Sequence, residues 1–163
     1  MEVIIVNNQS EFELNENEIK KISDFLFKKL EKEESSELNV VFIGSEEIKE
    51  VNKKYRNIDK ETDVLSFSYM EDKKIFGFID DAESFRDEFG FFTVGEILIC
   101  PSAARENIKI YNKGWTLKKE LIFLIIHGLL HIYGYDHEVE GEKKQMEQKQ
   151  EEMLKEVEKE FKI

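Results

Sequence analysis

One segment limits the folds open to this chain more than any other. From Thr116 to Tyr133 the residues follow a helical pattern, and after Glu120 that helix is apolar on nearly every side. A helix of this kind is either covered by other elements or inserted in a membrane. The apolar run is shorter than the ~20 residues that a bilayer requires, and it contains His127 and His131. We therefore expect a central buried helix and no membrane association.

The segments around this helix predict both strands and helices. Alternating or β-branched runs predict four strands, at residues 2–7, 38–43, 63–69 and 92–100. Amphipathic spacing predicts four further helices, at residues 15–32, 45–55, 101–111 and 142–161. We expect a single α+β domain over residues 1–163, in which a mixed sheet of about four strands packs against about five helices.

Two local details belong to this expectation. Ser45 is predicted to cap the second helix, which is expected to bury Tyr55. The acidic residues 70–91 are predicted to form a long loop or irregular hairpin between two strands.

Composition favours a reducing compartment and gives the protein an acidic surface. Cys100 is the single cysteine among 163 residues, and the N-terminus has neither a basic leader nor a small-residue cleavage site. We therefore expect a cytoplasmic protein. The formal net charge of −12 disfavours non-specific binding to nucleic acid, because the phosphate backbone repels such a field.

Segment 101–119 is an exception to this acidic balance. Against Glu106 alone it carries five basic residues, namely Arg105, Lys109, Lys113, Lys118 and Lys119. A basic strip for RNA and an ordinary solvated helix face both explain this pattern, and both interpretations stay open.

The three histidines of the chain lie in one stretch, HGLLHIYGYDH, as His127, His131 and His137. Helical residues four apart stand on the same face with Cβ atoms about 5–6 Å from each other, so the first two imidazoles can share one ion. His137 would be rotated away if the helix continued. Gly134 can end the helix in a left-handed turn at little cost, and we expect this turn to bring His137 back.

Three neutral imidazoles suit a tetrahedral zinc site whose fourth ligand is a water with a pKa lowered to about 7. We predict one Zn²⁺ per chain, while another divalent transition metal stays open. A structural site with Cys100 as the fourth ligand and a chance grouping of histidines also stay open. Asp136 is predicted to orient a ligand imidazole or to assist proton transfer, although a capping or turn role explains it equally well.

The histidine spacing equals that of the metzincin zinc proteases, His-Glu-x-x-His-x-x-Gly-x-x-His. Gly128 stands where those enzymes have their catalytic glutamate. Since a glycine cannot accept a proton, peptide hydrolysis by that route is not expected.

The HGLLHIYGYDH stretch closely resembles the signature of the YbeY family of bacterial endoribonucleases, ribosomal RNA maturation factors with a metal-bound active site. Two further segments are similar to that family. One is Tyr55-Arg56 with the following run TDVLSF at residues 62–67, and the other is GEI at residues 95–97, where the family usually has Asp in the second position. The similarity in order and spacing extends over almost the whole chain.

The resemblance implies that His127, His131 and His137 bind zinc and that Arg56 acts in RNA processing. It implies a single-strand-specific endoribonuclease of 16S rRNA 3′-end maturation and ribosome quality control, with ribosomal RNA, the small ribosomal subunit and its proteins as partners. Many members carry a lysine two positions after the arginine. This chain has Ile58 there, so any role of that lysine is either absent or passed to Lys60.

The chemistry of the arginine side chain is a second reason to expect a functional role for Arg56. A guanidinium can bind two phosphate oxygens and offset the charge that develops in phosphoryl transfer. Alternatively, Arg56 only complements the dipole of the helix that it ends. Two other functions stay open for the chain as a whole. One is a zinc hydrolase of peptides or small molecules, and the other is a non-catalytic ribosome assembly factor whose metal stabilises the fold.

Overall fold

The computed structural model describes residues 1–70 and 90–163. Within these ranges the elements are β1 (Glu2–Asn7), α1 (Glu16–Leu30), β2 (Ser36–Phe42), α2 (Ser45–Arg56), β3 (Val64–Ser68), β4 (Phe92–Ile99), α3 (Pro101–Ile110), α4 (Leu117–Ile132) and α5 (Glu140–Phe161). The α+β class, the four strands and the five helices are thereby confirmed. The loop predicted at residues 70–91 lies outside the described residues except at its ends.

The four strands form one mixed sheet in the order β1-β2-β4-β3. β2 pairs in parallel with both β1 and β4, whereas β3 pairs antiparallel with β4. β3 is therefore an edge strand, with Val64 opposite Ile99 and Phe67 opposite Glu96.

The alternation of side chains along the strands gives the sheet two apolar faces. Leu38, Val40 and Phe42 of β2 join the larger core cluster, to which α1, α4 and α5 contribute their buried residues. Leu65 and Phe67 of β3 belong to a smaller cluster that also holds Ile48 of α2 and Leu98 and Cys100 from the end of β4. Both faces are covered, and α4 lies on the more deeply packed one.

α4 is the covered helix that the apolar run predicted, since ten of its 16 residues are buried. Two glycines allow it to lie close to the sheet. A Cβ at Gly128 would lie 2.8 Å from Cγ2 of Ile97, and a Cβ at Gly95 would lie 2.9 Å from Cδ1 of Ile132. Real Cβ atoms do not approach that closely, so a glutamate at position 128 would force the side chain of Ile97 or α4 itself to shift.

α2 differs from the prediction at both ends. Gly44 and not Ser45 is the N-cap, because the Gly44 carbonyl already accepts the N–H of Ile48 at 3.1 Å. Tyr55 is 43% exposed and not buried. Its ring packs edge-on against Phe67, with centroids 5.6 Å apart. Since Phe67 lies on the edge strand, the tyrosine is packed on one side and faces solvent on the other.

Among residues 1–70 and 90–163, no helix combines the length and the apolar content that crossing a bilayer requires.

Candidate metal centre

His127 and His131 lie one turn apart on α4, as their spacing predicts. Their Nε2 atoms are 3.1 Å apart, and their ring centroids are 4.5 Å apart. In a tetrahedral site with Zn–N bonds of about 2.0–2.1 Å, two ligand nitrogens lie about 3.3 Å from each other. The two imidazoles therefore already have nearly the separation that a shared zinc ion requires.

The turn after α4 returns the chain to these histidines. Gly134 has a φ of 92°, and its N–H donates to the carbonyl of His131 at 3.1 Å while the N–H of Tyr135 donates to that of Leu130 at 2.9 Å. These are the two bonds of a Schellman motif, in which glycine avoids the Cβ penalty of the left-handed conformation. The ring of His137 consequently lies with its centroid 5.8 Å from His127 and 5.1 Å from His131.

The three imidazoles converge on a common point. One ring nitrogen from each of His127, His131 and His137 lies within 4.8 Å of the others, and Cys100 is not part of this cluster in the described ranges. Cys100 is buried in the smaller core cluster, where its Sγ lies 3.7 Å from Oγ of Ser45. The residues thus fit a divalent transition metal held by nitrogen ligands, and the sulfur-ligated alternative has no geometric support.

The surroundings keep two of the imidazoles neutral. Burial, followed by the charges of His131, His137 and Arg56, lowers the pKa of His127 from 6.5 to about 4. Burial and the proximity of His137 also lower the pKa of His131. Because only a neutral imidazole can bind a metal ion, both side chains are in the ligand form at pH 7.

Gln150 of α5 contacts the cluster and was not singled out from the sequence. Its side-chain amide lies 2.5 Å from Nδ1 of His127, and the residue is 6% exposed. A signal for it does exist in the sequence, since Gln150 is a polar residue in the otherwise apolar stripe of α5, between Met146 and Met153. A buried amide in such a stripe needs a partner, and here that partner is the imidazole.

Asp136 contacts the backbone of the turn that carries His137. Its Oδ1 accepts the N–H of His137 at 2.6 Å and that of Glu138 at 3.3 Å, and the first of these bonds is the largest cause that lowers the pKa of Asp136. These contacts fit the capping or turn role that the sequence allowed for Asp136. Orientation of an imidazole and assistance to proton transfer stay predictions.

Arg56 lies beside the histidines although it is far from them in sequence. It is exposed at the end of α2, where Asn57 ends the helix in a left-handed conformation with a φ of 59°. Together with His131 and Ser66, Arg56 lines a groove of about 230 Å³. Its charge is close enough to help lower the pKa of both His127 and His131. Arg56 therefore faces the histidine cluster, and its place in the last turn of α2 also allows the dipole role.

The basic strip of residues 101–119 is largely neutralised by carboxylates. Lys109 pairs with Glu106 at 2.9 Å, Lys118 with Glu18 at 3.0 Å and Lys119 with Glu158 at 3.2 Å. Such pairs are typical of a solvated surface. This geometry favours the ordinary helix face over a dedicated track for RNA.

Comparison with known proteins gives concordant matches over nearly the full chain. The family model described as Endoribonuclease YbeY matches residues 4–158. A protein named Endoribonuclease YbeY from Clostridium botulinum (strain Hall, type A) is 41% identical over 162 residues, which cover 94% of this chain and 96% of the relative. The protein of the same name from the Alaska E43 strain, type E3, is 32% identical over 160 residues, with 93% and 95% covered. The solution structure of TM1509 from Thermotoga maritima superposes with a TM-score of 0.63 and 30% identity over 98% of this chain and 91% of that one.

Proposed function

The chain belongs to the endoribonuclease YbeY family, and on that premise we propose that it is a zinc-dependent endoribonuclease that cleaves single-stranded RNA. The observation that carries the zinc dependence is the convergence of three imidazoles within 4.8 Å of one another, next to a groove that Arg56 lines. A single domain over residues 1–163 would carry the whole activity.

His127, His131 and His137 would hold the zinc ion, the first two through Nε2. When bound, zinc supplies a Lewis acid that lowers the pKa of a ligand water and polarises a phosphate oxygen. With Nε2 of His127 facing the ion, Nδ1 would carry the proton. It would donate to the side-chain oxygen of Gln150 once the amide, whose nitrogen lies 2.5 Å from Nδ1, rotates to present that oxygen. Gln150 would thereby fix the tautomer and orientation of the ligand, as hydrogen-bond partners of metal-bound histidines generally do.

Arg56 would bind the phosphate of the RNA backbone in the groove that it shares with His131. A guanidinium presents two parallel N–H donors to phosphate oxygens, so it both positions the phosphate and offsets the charge that develops on it. Asp136 would act at the same centre by holding the backbone of the turn that presents His137, through the two N–H groups that its carboxylate accepts.

The biological substrate proposed for this chain is ribosomal RNA, in 16S rRNA 3′-end maturation and ribosome quality control. The small ribosomal subunit and its proteins would be the partners, and the cytoplasm the location. Family membership supports this assignment. A net charge of −12 fits a protein that is brought to its substrate by defined contacts and not by a general attraction to nucleic acid.

Elemental analysis of the purified protein, combined with RNA cleavage before and after chelation, tests the proposal. We expect stoichiometric zinc, loss of cleavage on chelation and recovery when zinc is restored. His131→Ala should lose both zinc and activity. Arg56→Ala should keep its zinc but lose about 100-fold in cleavage rate, which is the order expected when one charge-stabilising donor is removed.

Lys53→Ala is the matched control for Arg56→Ala, because it removes one positive charge from the same helix. Lys53 lies near Asp59, at 4.0 Å, and does not line the groove. Its activity should equal that of the wild type. Wild-type cleavage that survives stringent chelation, or equal losses in the two variants, would contradict the proposal.

The competing functions give different outcomes. Zinc-dependent cleavage of peptides without cleavage of RNA would favour another hydrolase. Against that function, Gly128 stands where zinc proteases have a glutamate, and any Cβ at this position would lie 2.8 Å from Ile97. A His131→Ala protein that folds, lacks zinc and still restores rRNA processing in cells would favour a non-catalytic assembly factor.

A further inference from the structure

A second cavity borders the metal centre. It has a volume of about 350 Å³ and is lined by His127, whereas the Arg56 groove is lined by His131. Its other walls come from the start of β3, the end of α3 with the turn after it, and the first half of α4. Pockets for small organic groups have volumes of about 300–1,000 Å³, so this cavity is large enough to hold part of a substrate.

Glu120 gives the cavity its chemical character. It is 2% exposed, and its Oε2 accepts the side-chain amide N–H of Asn112 at 2.9 Å. No donor among the described residues forms a hydrogen bond with its Oε1. A buried carboxylate with an unused oxygen is costly unless a donor reaches it, and burial accordingly raises the pKa of Glu120.

The remaining polar groups also offer acceptors to a ligand. Asn107 donates its amide N–H to Oδ2 of Asp63 at 2.6 Å, and Asn112 donates to Glu120, so the side-chain oxygens of both asparagines remain for other donors. The described residues that line the cavity include no lysine or arginine. A phosphate would be repelled here, whereas a group with several N–H donors would be held.

The apolar part of the lining suits a flat ring. Tyr111 lies at the cavity with 76% of its surface exposed, and Val64, Phe123 and Leu124 contribute apolar walls. Exposed aromatic rings of this kind stack on unpaired bases, which is the usual way in which proteins hold single-stranded RNA.

We infer that this cavity binds a guanine base of the RNA strand, next to the phosphate at the metal centre. Guanine carries two adjacent donors, N1–H and N2–H, on its Watson–Crick edge, and a carboxylate such as that of Glu120 can accept both. Uracil has one donor between two acceptors, so it would place a carbonyl oxygen against the carboxylate where guanine places a second N–H. The inference rests on the proposed function, because it assumes an RNA strand whose phosphate lies in the Arg56 groove.

Cleavage of short single-stranded RNAs that differ at one position tests this inference. With zinc-loaded protein, we expect a single guanine to lower KM about 10-fold relative to uracil at the same position, with kcat little changed. Tyr111→Ala should raise KM for the guanine substrate about 10-fold, the order expected for one lost stacking contact, whereas Tyr111→Phe should keep the wild-type KM. Glu120→Gln, which keeps the size but replaces an acceptor with a donor, should abolish the preference for guanine.

Ile110→Ala is the matched control, because Ile110 precedes Tyr111, is 63% exposed and does not line the cavity. Thermal unfolding checks that Glu120→Gln is folded, and the exposed Tyr111 variants provide the test if it is not. Chelator-sensitive cleavage with no base preference would overturn the inference and leave the proposed function intact. If no RNA is cleaved, the proposed function fails. In that case calorimetry measures the binding of guanosine and uridine monophosphates. Tighter binding of guanosine monophosphate would support the inference, and equal affinities would overturn it.

Discussion

His127 and His131 are half-buried on the helix that packs against the sheet, whereas His137 lies on an exposed turn. The first two project from α4, which Gly128 and Gly95 allow to lie directly on the sheet. His137 is exposed, and it is held by the Schellman turn at Gly134 and by the backbone bonds to Asp136. The packed pair and the turn histidine therefore reach the same centre by different physical means.

This difference indicates how the centre responds to mutation. The helix that carries the packed pair is fixed before any ion binds, because ten of its 16 residues are buried in the core. The position of His137 depends on a few backbone hydrogen bonds that are worth about 1 kcal/mol each. Variants near the packed pair should change the affinity for zinc most, and variants of the turn should first change the local stability.

Gln150→Ala should cause the largest change, a loss of zinc affinity, because it removes the hydrogen-bond partner of His127 in the packed pair. Zinc affinity should fall about 10–100-fold, as measured by competition with a chromophoric chelator. Gln148→Ala is the matched control, since Gln148 is an exposed glutamine of the same helix, and its affinity should equal that of the wild type. Equal affinities in the two variants, with both proteins folded, would show that packing alone positions His127.

Gly134→Ala should have a smaller effect on zinc affinity, and it should mainly reduce the stability of the turn that carries His137. An alanine at a φ of 92° adopts a left-handed conformation that costs about 1–2 kcal/mol. The metal-free protein should lose that much stability in urea unfolding, and zinc affinity should fall less than in Gln150→Ala.

Gly141→Ala controls for the glycine substitution itself. Gly141 lies in α5, and an added Cβ there meets nothing within 4 Å. Since alanine is favoured over glycine in a helix by about 0.5–1 kcal/mol, this variant should be no less stable than the wild type. A loss equal to that of Gly134→Ala would mean that the left-handed turn does not limit the position of His137.

The convergence of both regions on one centre could be predicted from the sequence. The i, i+4 spacing of His127 and His131 and the glycine that ends a helix are local signals, which act within a few residues. They were sufficient to bring His137 back to α4. The strands and helices were likewise predicted within a few residues of their ends, because apolar periodicity is also a local property.

What the sequence could not show depends on contacts between distant segments. Gln150 lies 23 residues from His127, and Arg56 and His131 come from separate helices, α2 and α4, whose ends meet at one groove. Gly128 was interpreted only through the missing glutamate, whereas the structure shows it in contact with β4 at Ile97. Tyr55 was expected to be buried because its helix is amphipathic, and the end of the sheet at β3 leaves it half exposed.

Lowering the pH should have the smallest effect of these changes, a loss of stability that arises from His127 in the packed pair. The pKa of His127 is about 4 in the folded protein and 6.5 as a free group, so well above pH 6.5 both states are neutral and the group adds no pH dependence. As the pH falls below 6.5, the unfolded chain takes up a proton that the folded protein resists, and stability is lost until the pH falls through about 4. Between pH ~7 and ~5.5 the metal-free wild type should lose about 1 kcal/mol through this residue. His127→Gln, which cannot take up the proton, should lose correspondingly less in urea unfolding, and an equal loss in both proteins would show that His127 is not the buried, proton-resisting member of the packed pair.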